Sequence, residues 1–161
     1  MEVREATPKD RRAIVDLYKR SQVATHIPDP NFIPPEELSN YLYARNAIIR
    51  YVATEGNEIV GHGLIEHANP EHISEWRLAT QAQENSFIEL GGAFVDPARM
   101  GRGIWSLLLE RRLHAVRQLG AIPVSVTWSA SEHVKNHFVK VGGREIAQKE
   151  TGAGSVSLFV F

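Results

Sequence analysis

Hydrophobic and polar positions are most regularly patterned between residues 87 and 120. A nearly continuous apolar run, Phe87–Val95, ends at the turn-forming pair Asp96-Pro97 and predicts a buried strand. After a short loop, apolar residues recur at helical spacing and form one broad face: Leu108, Leu109, Leu113, Val116 and Leu119. The rest of this helix is predicted to be solvated, with Glu110, Arg111, Arg112, His114 and Arg117. Gly120 is expected to end it.

The residues before this region predict alternating short elements. Residues 3–6 read as a strand, and Thr7-Pro8-Lys9-Asp10 begins a helix to about Ser21, with an N-cap, a proline at the first helical position and an early acid. Strands are expected at 48–54 and 59–66, joined as a hairpin at residues 55–58. Shorter helices are predicted at 35–45 and 75–83.

The C-terminal third predicts strand, helix and hairpin. Apolar and polar positions alternate through Ile122–Trp128, which favours a half-buried strand. Ser129 and Glu132 have the spacing of a capping box, so a helix should follow and continue to Val141 before Gly142-Gly143. Residues 144–149 and 155–161 are expected to form the terminal hairpin.

Composition narrows the class of protein. The 161 residues fit one domain, and a net charge of −1 without any Lys/Arg block longer than two residues does not indicate nucleic-acid binding. No apolar stretch reaches the ~18 residues that span a bilayer, and a signal-peptide core is lacking, so we expect no membrane partner and a cytoplasmic protein. Without cysteine there is no disulfide, no thiolate metal site and no cysteine-bound intermediate.

The loop between the central strand and helix contains Gly101 and Gly103. A glycine loop that opens a helix presents backbone N–H groups to an anion, so a phosphate or pyrophosphate ligand is expected. A Walker A loop would need a lysine, and a dinucleotide-binding loop would need a third glycine; neither is present. An ordinary strand-to-helix turn without a ligand remains the alternative.

Two segments, Val95-Asp96-Pro97 and Gly101-Arg102-Gly103-Ile104, resemble the central motif of the GNAT superfamily of acyl-CoA-dependent N-acyltransferases. The predicted order of elements along the whole chain is similar to that family as well. The resemblance implies one α/β (α+β) domain over residues 1–161. It would have a mixed central sheet of about seven strands, four flanking helices, and a splay between strands 4 and 5.

The function implied by this resemblance is transfer of an acetyl or other short acyl group from acetyl-CoA to a primary amine of a small molecule or peptide. The amine would attack directly in a ternary complex, and no metal is implied. The alternative is a catalytically degenerate GNAT-fold domain that acts as an acyl-CoA-binding sensor or interaction module. The acceptor and the oligomeric state, including a homodimer, are left open.

The resemblance also assigns roles to individual residues. Glu89 matches a position where some family members carry the general base, and the Val95 N–H is the candidate oxyanion donor. Gly91-Gly92 would permit a bulge beside them. For Glu89, exposure to solvent or pairing with an arginine is the alternative. The candidate cofactor-binding residues are Phe94, Val95, Met100, Gly101, Arg102, Gly103, Ile104, Trp105, Ser131 and Phe138.

Four of these residues depart from the family pattern. Met100 replaces a glutamine or arginine, Ser131 an asparagine, and Phe138 a tyrosine that often acts as general acid. Trp105 replaces a glycine or alanine; we expect its indole to pack on the buried helix face, with Ile104 and Leu107 also pointing inward, rather than to occupy cofactor space.

Several histidines and the residues of two further segments are also candidates for a role. His133 and His137 lie four apart on the last helix without an evident third ligand, which favours a solvated face over a metal site. His137 as the missing acid is the less favoured alternative, and His62 is expected to be structural. In this fold the acceptor pocket would be bordered by two segments that include His26, Asp29, Phe32, Glu75 and Trp76.

Overall fold

The computed structural model describes residues 1–24, 43, 47–82, 86–152 and 154–161, and these contain seven strands and four α-helices. The strands are β1 (Glu2–Glu5), β2 (Ala47–Glu55), β3 (Glu58–His67), β4 (Phe87–Val95), β5 (Ile122–Trp128), β6 (Arg144–Thr151) and β7 (Gly154–Val160). The helices are α1 (Arg11–Ala24), α2 (Ile73–Thr80), α3 (Ile104–Gln118) and α4 (Glu132–Lys140). None of the described helices is both long and apolar enough to cross a membrane.

All seven strands belong to one mixed sheet in the order β1-β2-β3-β4-β5-β7-β6. The pair β4–β5 is parallel and runs from Phe87 opposite Ile122 to Glu89 opposite Val124. The pairs β1–β2, β2–β3, β5–β7 and β6–β7 are antiparallel. This is the mixed seven-stranded sheet with four helices that the family resemblance implies. The chain divides into two compact units, Met1–Glu66 with Gly92–Arg112, and His67–Gly91 with Leu113–Phe161.

In the first unit, α1 buries Ile14 and Leu17 in a cluster with Val52 and Ile59. A 3-10 turn, Pro8–Asp10, precedes α1 at the predicted helix start. There Asp10 accepts a hydrogen bond from the Thr7 N–H and forms a two-pronged ion pair with Arg4. The hydrogen bond from Arg4 holds the pKa of Asp10 well below its usual range.

The first turns of α3 approach β3 closely because two strand positions are glycine. A Cβ on Gly61 would lie 2.8 Å from Ile104 Cγ2 and 2.9 Å from Leu108 Cδ1. One helical turn further on, Arg112 is only 2% exposed, and its Nε donates to the Leu108 carbonyl oxygen at 3.1 Å. Burial lowers the pKa of Arg112 to about 10.

This burial overturns the prediction that Arg112 belongs to the solvated helix face. Space for it comes from Gly63, also in β3, where a Cβ would lie 3.0 Å from Arg112 Nε. Leu107 and Leu119, predicted to face inward, are instead exposed. The other predicted apolar positions, Leu108, Leu109, Leu113 and Val116, are buried as expected.

The second unit is built around Trp76 of α2, which is completely buried with Phe87, Val124, Leu158 and Val160. Helix α2 begins earlier than the predicted 75–83 and ends at Thr80, because Gln81 adopts a left-handed conformation with φ 57°. The predicted helix over 35–45 lies outside the described residues except for position 43, which is helical.

The start of α4 differs from the predicted capping box. Ser131, not Ser129, is the N-cap residue, and its side chain makes no cap hydrogen bond. The Ser129 hydroxyl instead lies 3.1 Å from that of Ser155 and 3.0 Å from that of Ser157. The hydroxyl of Ser129 therefore links β5 to β7, and the helix begins two residues later than the sequence pattern indicates. The helix ends as predicted, with Gly142 at φ 93° and the Gly143 N–H bonded to the Phe138 carbonyl oxygen.

Candidate functional site

The segment between β4 and α3 is a tightly folded loop. The Asp96 N–H donates to the Val60 carbonyl oxygen at 2.9 Å, and the Asp96 carboxylate accepts from the Ala98 N–H at 3.0 Å. This contact starts a 3-10 turn, Pro97–Arg99. Gly101 and Gly103 both have φ +77°, and a Cβ on either would meet no atom within 4 Å. The glycines are therefore required by backbone conformation rather than by crowding.

Ion pairs with carboxylates of β2 and β3 fix the position of the loop. Arg99 bonds the Asp96 carboxylate at 3.0 Å and the Glu55 carboxylate at 3.2 Å, and also pairs with Glu58. Arg102 pairs with Glu55 at 2.8 Å. Glu55 and Glu58 flank the hairpin turn at Gly56-Asn57, so this turn holds the glycine loop in place. Asp96-Pro97 is a recognisable turn signal in the sequence, but no local signal indicates that Asp96 and Arg99 join the loop to the hairpin.

The loop leads directly into the N-terminus of α3. The first helical bond runs from the Leu107 N–H to the Gly103 carbonyl oxygen at 3.1 Å. The N–H groups of Ile104, Trp105 and Ser106 come before this bond and belong to the turn that carries the positive end of the helix dipole. Left-handed glycines followed by a helix start form a backbone arrangement suited to a phosphate group.

The side chains around the loop differ in how far they are buried. Ile104 is buried against β3, whereas Met100 and Arg102 are exposed. Trp105 is half-buried. Complete packing on the inner face of the helix would bury its indole fully, so its burial is less than expected.

The end of β4 carries two of the predicted site residues. Gly92 has φ +44°, a conformation that favours glycine and supports the expected bulge. The Phe94 ring packs edge-on against Tyr18 at 5.0 Å and lies 4.8 Å from the ring of fully buried His62. Its side chain therefore takes part in the core of the first unit. Val95 is half-buried and is the last residue of the strand.

Glu89 lies in the second unit, in the part of β4 that pairs with β5. Its side chain is half-buried, and its Oε2 accepts a hydrogen bond from the Asn69 N–H at 3.2 Å. Asn69 is the N-cap of the 3-10 turn Pro70–His72 that leads into α2. Asn69 was not among the predicted site residues; its one sequence signal is that Asn followed by Pro typically starts a helical turn.

The residues expected to border an acceptor pocket lie in different surroundings. Trp76 is a core residue: it is completely buried, and its ring lies 6.1 Å from that of Phe87. This burial does not support the expectation that its side chain borders a pocket. Glu75 pairs with Lys149 at 2.8 Å, and the hydrogen bond from Lys149 lowers the pKa of Glu75 to about 2. His26, Asp29 and Phe32 lie outside the described residues.

Helix α4 carries the remaining candidates. Phe138 is buried, with its ring edge-on to Phe159 at 5.1 Å and to Phe161 at 5.2 Å. His133 is exposed and His137 is half-buried. Across the described part of the chain, no three His, Asp or Glu side chains form a group that could hold a metal ion. Phe138 thus serves the hydrophobic core of the second unit.

Comparison with known proteins agrees with this architecture. The model of the acetyltransferase (GNAT) family matches residues 12–142. No curated protein matches the chain by sequence. Similar solved structures include the ribosomal-protein-alanine N-acetyltransferase of Brucella melitensis, at 17% identity and a TM-score of 0.76 over 100% of this chain and 99% of that one.

Two further structures share the fold. The structure of yncA from Salmonella typhimurium with its cofactor acetyl-CoA has 17% identity and a TM-score of 0.72, covering 99% of this chain and 92% of that one. An N-acetyltransferase of Staphylococcus aureus Mu50 has 17% identity and a TM-score of 0.75, covering 99% and 95%. At 17% identity, these structures show a shared fold. The family model matches most of the sequence, and the chain therefore belongs to the GNAT family of acetyltransferases.

Proposed function

We propose that this protein transfers an acetyl or other short acyl group from CoA to a primary amine of a small molecule or peptide, by direct attack in a ternary complex. The observation that carries the proposal is the loop at residues 96–104. Its two left-handed glycines leave open space where a side chain would otherwise project, and it leads into a helix N-terminus. These features fit the pyrophosphate of a CoA ester, which would be held at Gly101, Arg102, Gly103, Ile104 and Trp105, largely by main-chain N–H groups.

The cosubstrate would supply an acyl group activated as a thioester. Glu89 is the proposed general base, accepting the proton that the amine loses, directly or through a water molecule. The Val95 N–H is the proposed donor to the carbonyl oxygen as that oxygen gains negative charge. The C–N bond forms as the C–S bond breaks, and the departing thiolate takes its proton from solvent because Phe138 has no proton to donate.

The acceptor is proposed as a class rather than a compound. One structural neighbour is a ribosomal-protein-alanine N-acetyltransferase, so a peptide with N-terminal alanine is one suitable probe. Another structural neighbour is a putative phosphinothricin N-acetyltransferase, so phosphinothricin, a small amino acid analogue, is a second probe. A panel of these two compounds and free lysine covers peptide and small-molecule primary amines.

A non-catalytic acyl-CoA sensor is the second candidate, favoured by the burial of Phe138 at the position of the family's acid. Release of free thiol from acetyl-CoA, measured with and without each amine, separates the two. Amine-dependent release supports the transferase. A thermal shift with acetyl-CoA but no release supports the sensor, and neither signal with any CoA ester would refute both.

A further inference from the structure

We infer that the Asn69 main-chain N–H positions the Glu89 carboxylate and holds it in the ionised, proton-accepting form. This inference rests on the proposed function, in which Glu89 is the general base. The contact joins Asn69 N to Glu89 Oε2 at 3.2 Å, across a sequence separation of 20 residues. Asn69 is thus a positioning residue that acts through Glu89.

The turn that carries this N–H is held on several sides. Asn69 Oδ1 accepts from the Glu71 N–H at 3.0 Å, which caps the turn. Lys149 of β6 donates to the Glu71 carbonyl oxygen at 2.9 Å and pairs with Glu75 at 2.8 Å. These contacts fix the turn relative to β6. The direction of the Asn69 N–H is therefore set by the whole turn and not only by the Asn69 side chain.

Strand β4 fixes the other partner of the contact. Phe87 and Glu89 are two residues apart and therefore project from the same face of the strand. Phe87 packs against Trp76 of α2, the helix that follows the Asn69 turn. The ladder with β5 sets the Glu89 main chain opposite Val124. Carboxylate and donor are thus held by separate elements that share one hydrophobic core.

The hydrogen bond from Asn69 is the contact through which the turn acts on Glu89. Strands β4 and β5 contain no other ionisable side chain. Among the described residues, the charged or titratable groups of the turn, of the adjoining end of β3, of α2 and of the Lys149 contact are Glu66, His67, Glu71, His72, Glu75, Arg77 and Lys149. Lys149 is engaged with Glu75 and the Glu71 carbonyl oxygen. A hydrogen bond donated to a carboxylate favours its charged form, which is the form that accepts a proton.

Backbone geometry permits a test that removes only this donor. Asn69 has φ −63°, the value that proline requires, so Asn69→Pro deletes the N–H without imposing a new φ. Asn69→Pro also removes the side-chain cap, and Asn69→Ala is the matched control because it removes the cap while keeping the N–H. Any difference between the two variants therefore reports the hydrogen bond to Glu89 together with the proline ring itself.

The first measurement follows the Asn69 amide resonance of the whole protein by NMR through an acid pH titration, without acetyl-CoA. We expect the resonance to move with the protonation of Glu89, and this movement to disappear in Glu89→Gln. This readout needs neither turnover nor a folded proline variant. An Asn69 amide that does not titrate, or that titrates equally in Glu89→Gln, would overturn the inference.

The second measurement compares kcat/KM against pH for Asn69→Ala and Asn69→Pro, with the amine of the panel that supports turnover. The acid limb of Asn69→Pro should lie at higher pH, so that on this limb its kcat/KM falls roughly three- to tenfold below that of Asn69→Ala. Coincident limbs in two folded variants would refute the inference. Full activity of Glu89→Gln would instead refute the base assignment, and the amide titration would show that the contact exists without serving catalysis.

Discussion

The main chain of Gly63 lies against the buried guanidinium of Arg112, so that a Cβ on Gly63 would come within 3.0 Å of Nε and 3.1 Å of Cζ. This relationship joins β3 to α3 and gives a long cationic side chain a place inside the first unit. An arginine in this position is sensitive to the volume of the residue facing it, because both groups are enclosed.

Gly63→Ala should lower the free energy of unfolding by about 1–3 kcal/mol, because the added methyl group forces the guanidinium to move. In the Arg112→Ala background the same change should cost less, since the obstructing side chain has been removed. Urea unfolding of the wild type, both single variants and the double variant measures this coupling. Gly152→Ala is a suitable control because nothing lies within 4 Å of its added Cβ. Strictly additive effects would contradict the prediction.

Gly103→Val should weaken acetyl-CoA binding by an order of magnitude or more while the protein remains folded. At φ +77°, valine is strained and would displace the backbone of the loop. Gly120→Val is the matched control, since Gly120 has φ +70° and equally open surroundings but lies at the other end of α3. Both variants should lose stability, and calorimetric titration should show lost affinity only for Gly103→Val. Equal affinity in the two variants would argue against a cofactor role for the loop.

Glu89→Gln should reduce kcat far more than it weakens the binding of acetyl-CoA, because a general base acts only in the chemical step. Steady-state kinetics on the amine panel measure kcat, and a separate titration measures the dissociation constant of acetyl-CoA. Glu110→Gln serves as a control, since it changes an exposed carboxylate of α3 that has no proposed role in the reaction. Unchanged kcat in Glu89→Gln would mean that the amine is deprotonated elsewhere.

The ion pair between Glu75 and Lys149 should make stability depend on acid pH. Lys149 lowers the pKa of Glu75 from 4.5 to about 2, so the unfolded chain takes up a proton at a higher pH than the folded protein. The stabilisation is therefore present above about pH 4.5 and is lost as the pH falls towards about 2. Urea midpoints of the wild type and Glu75→Gln should differ at neutral pH and converge through this range. A constant difference would show that the pair contributes nothing through its charge.

The parts of the fold that the sequence predicts are those with local signals. Strand β5 has the predicted bounds, Ile122–Trp128, because alternation extends over the whole element. The β4–loop–α3 segment is confirmed because Asp96-Pro97, the two glycines and Gly120 mark its boundaries. These signals act through the backbone of the residues that carry them.

Nonlocal packing explains where prediction fails. Nothing near Arg112 in the sequence indicates burial, because the space it occupies is provided by Gly63, about fifty residues earlier. Ser129 has the spacing of a helix cap, but its hydroxyl finds partners on β7, at Ser155 and Ser157. In the candidate site, the glycine loop was predictable, whereas the Asn69 contact to Glu89 depends on the pairing of distant segments. The assignments of Glu89 and Val95 to catalysis stay predictions.

The pairing of the loop arginines has a consequence for how binding should respond to ionic strength. Arg99 and Arg102 are the two cationic side chains of residues 96–104, and both are already neutralised by the carboxylates of the β2–β3 hairpin. An anion approaching the loop therefore meets main-chain dipoles in place of uncompensated positive charge. Added salt screens exposed charges strongly but affects short-range hydrogen bonds from N–H groups much less. The contribution of this loop to cofactor affinity should accordingly persist at salt concentrations that would weaken a site built on unpaired lysines and arginines.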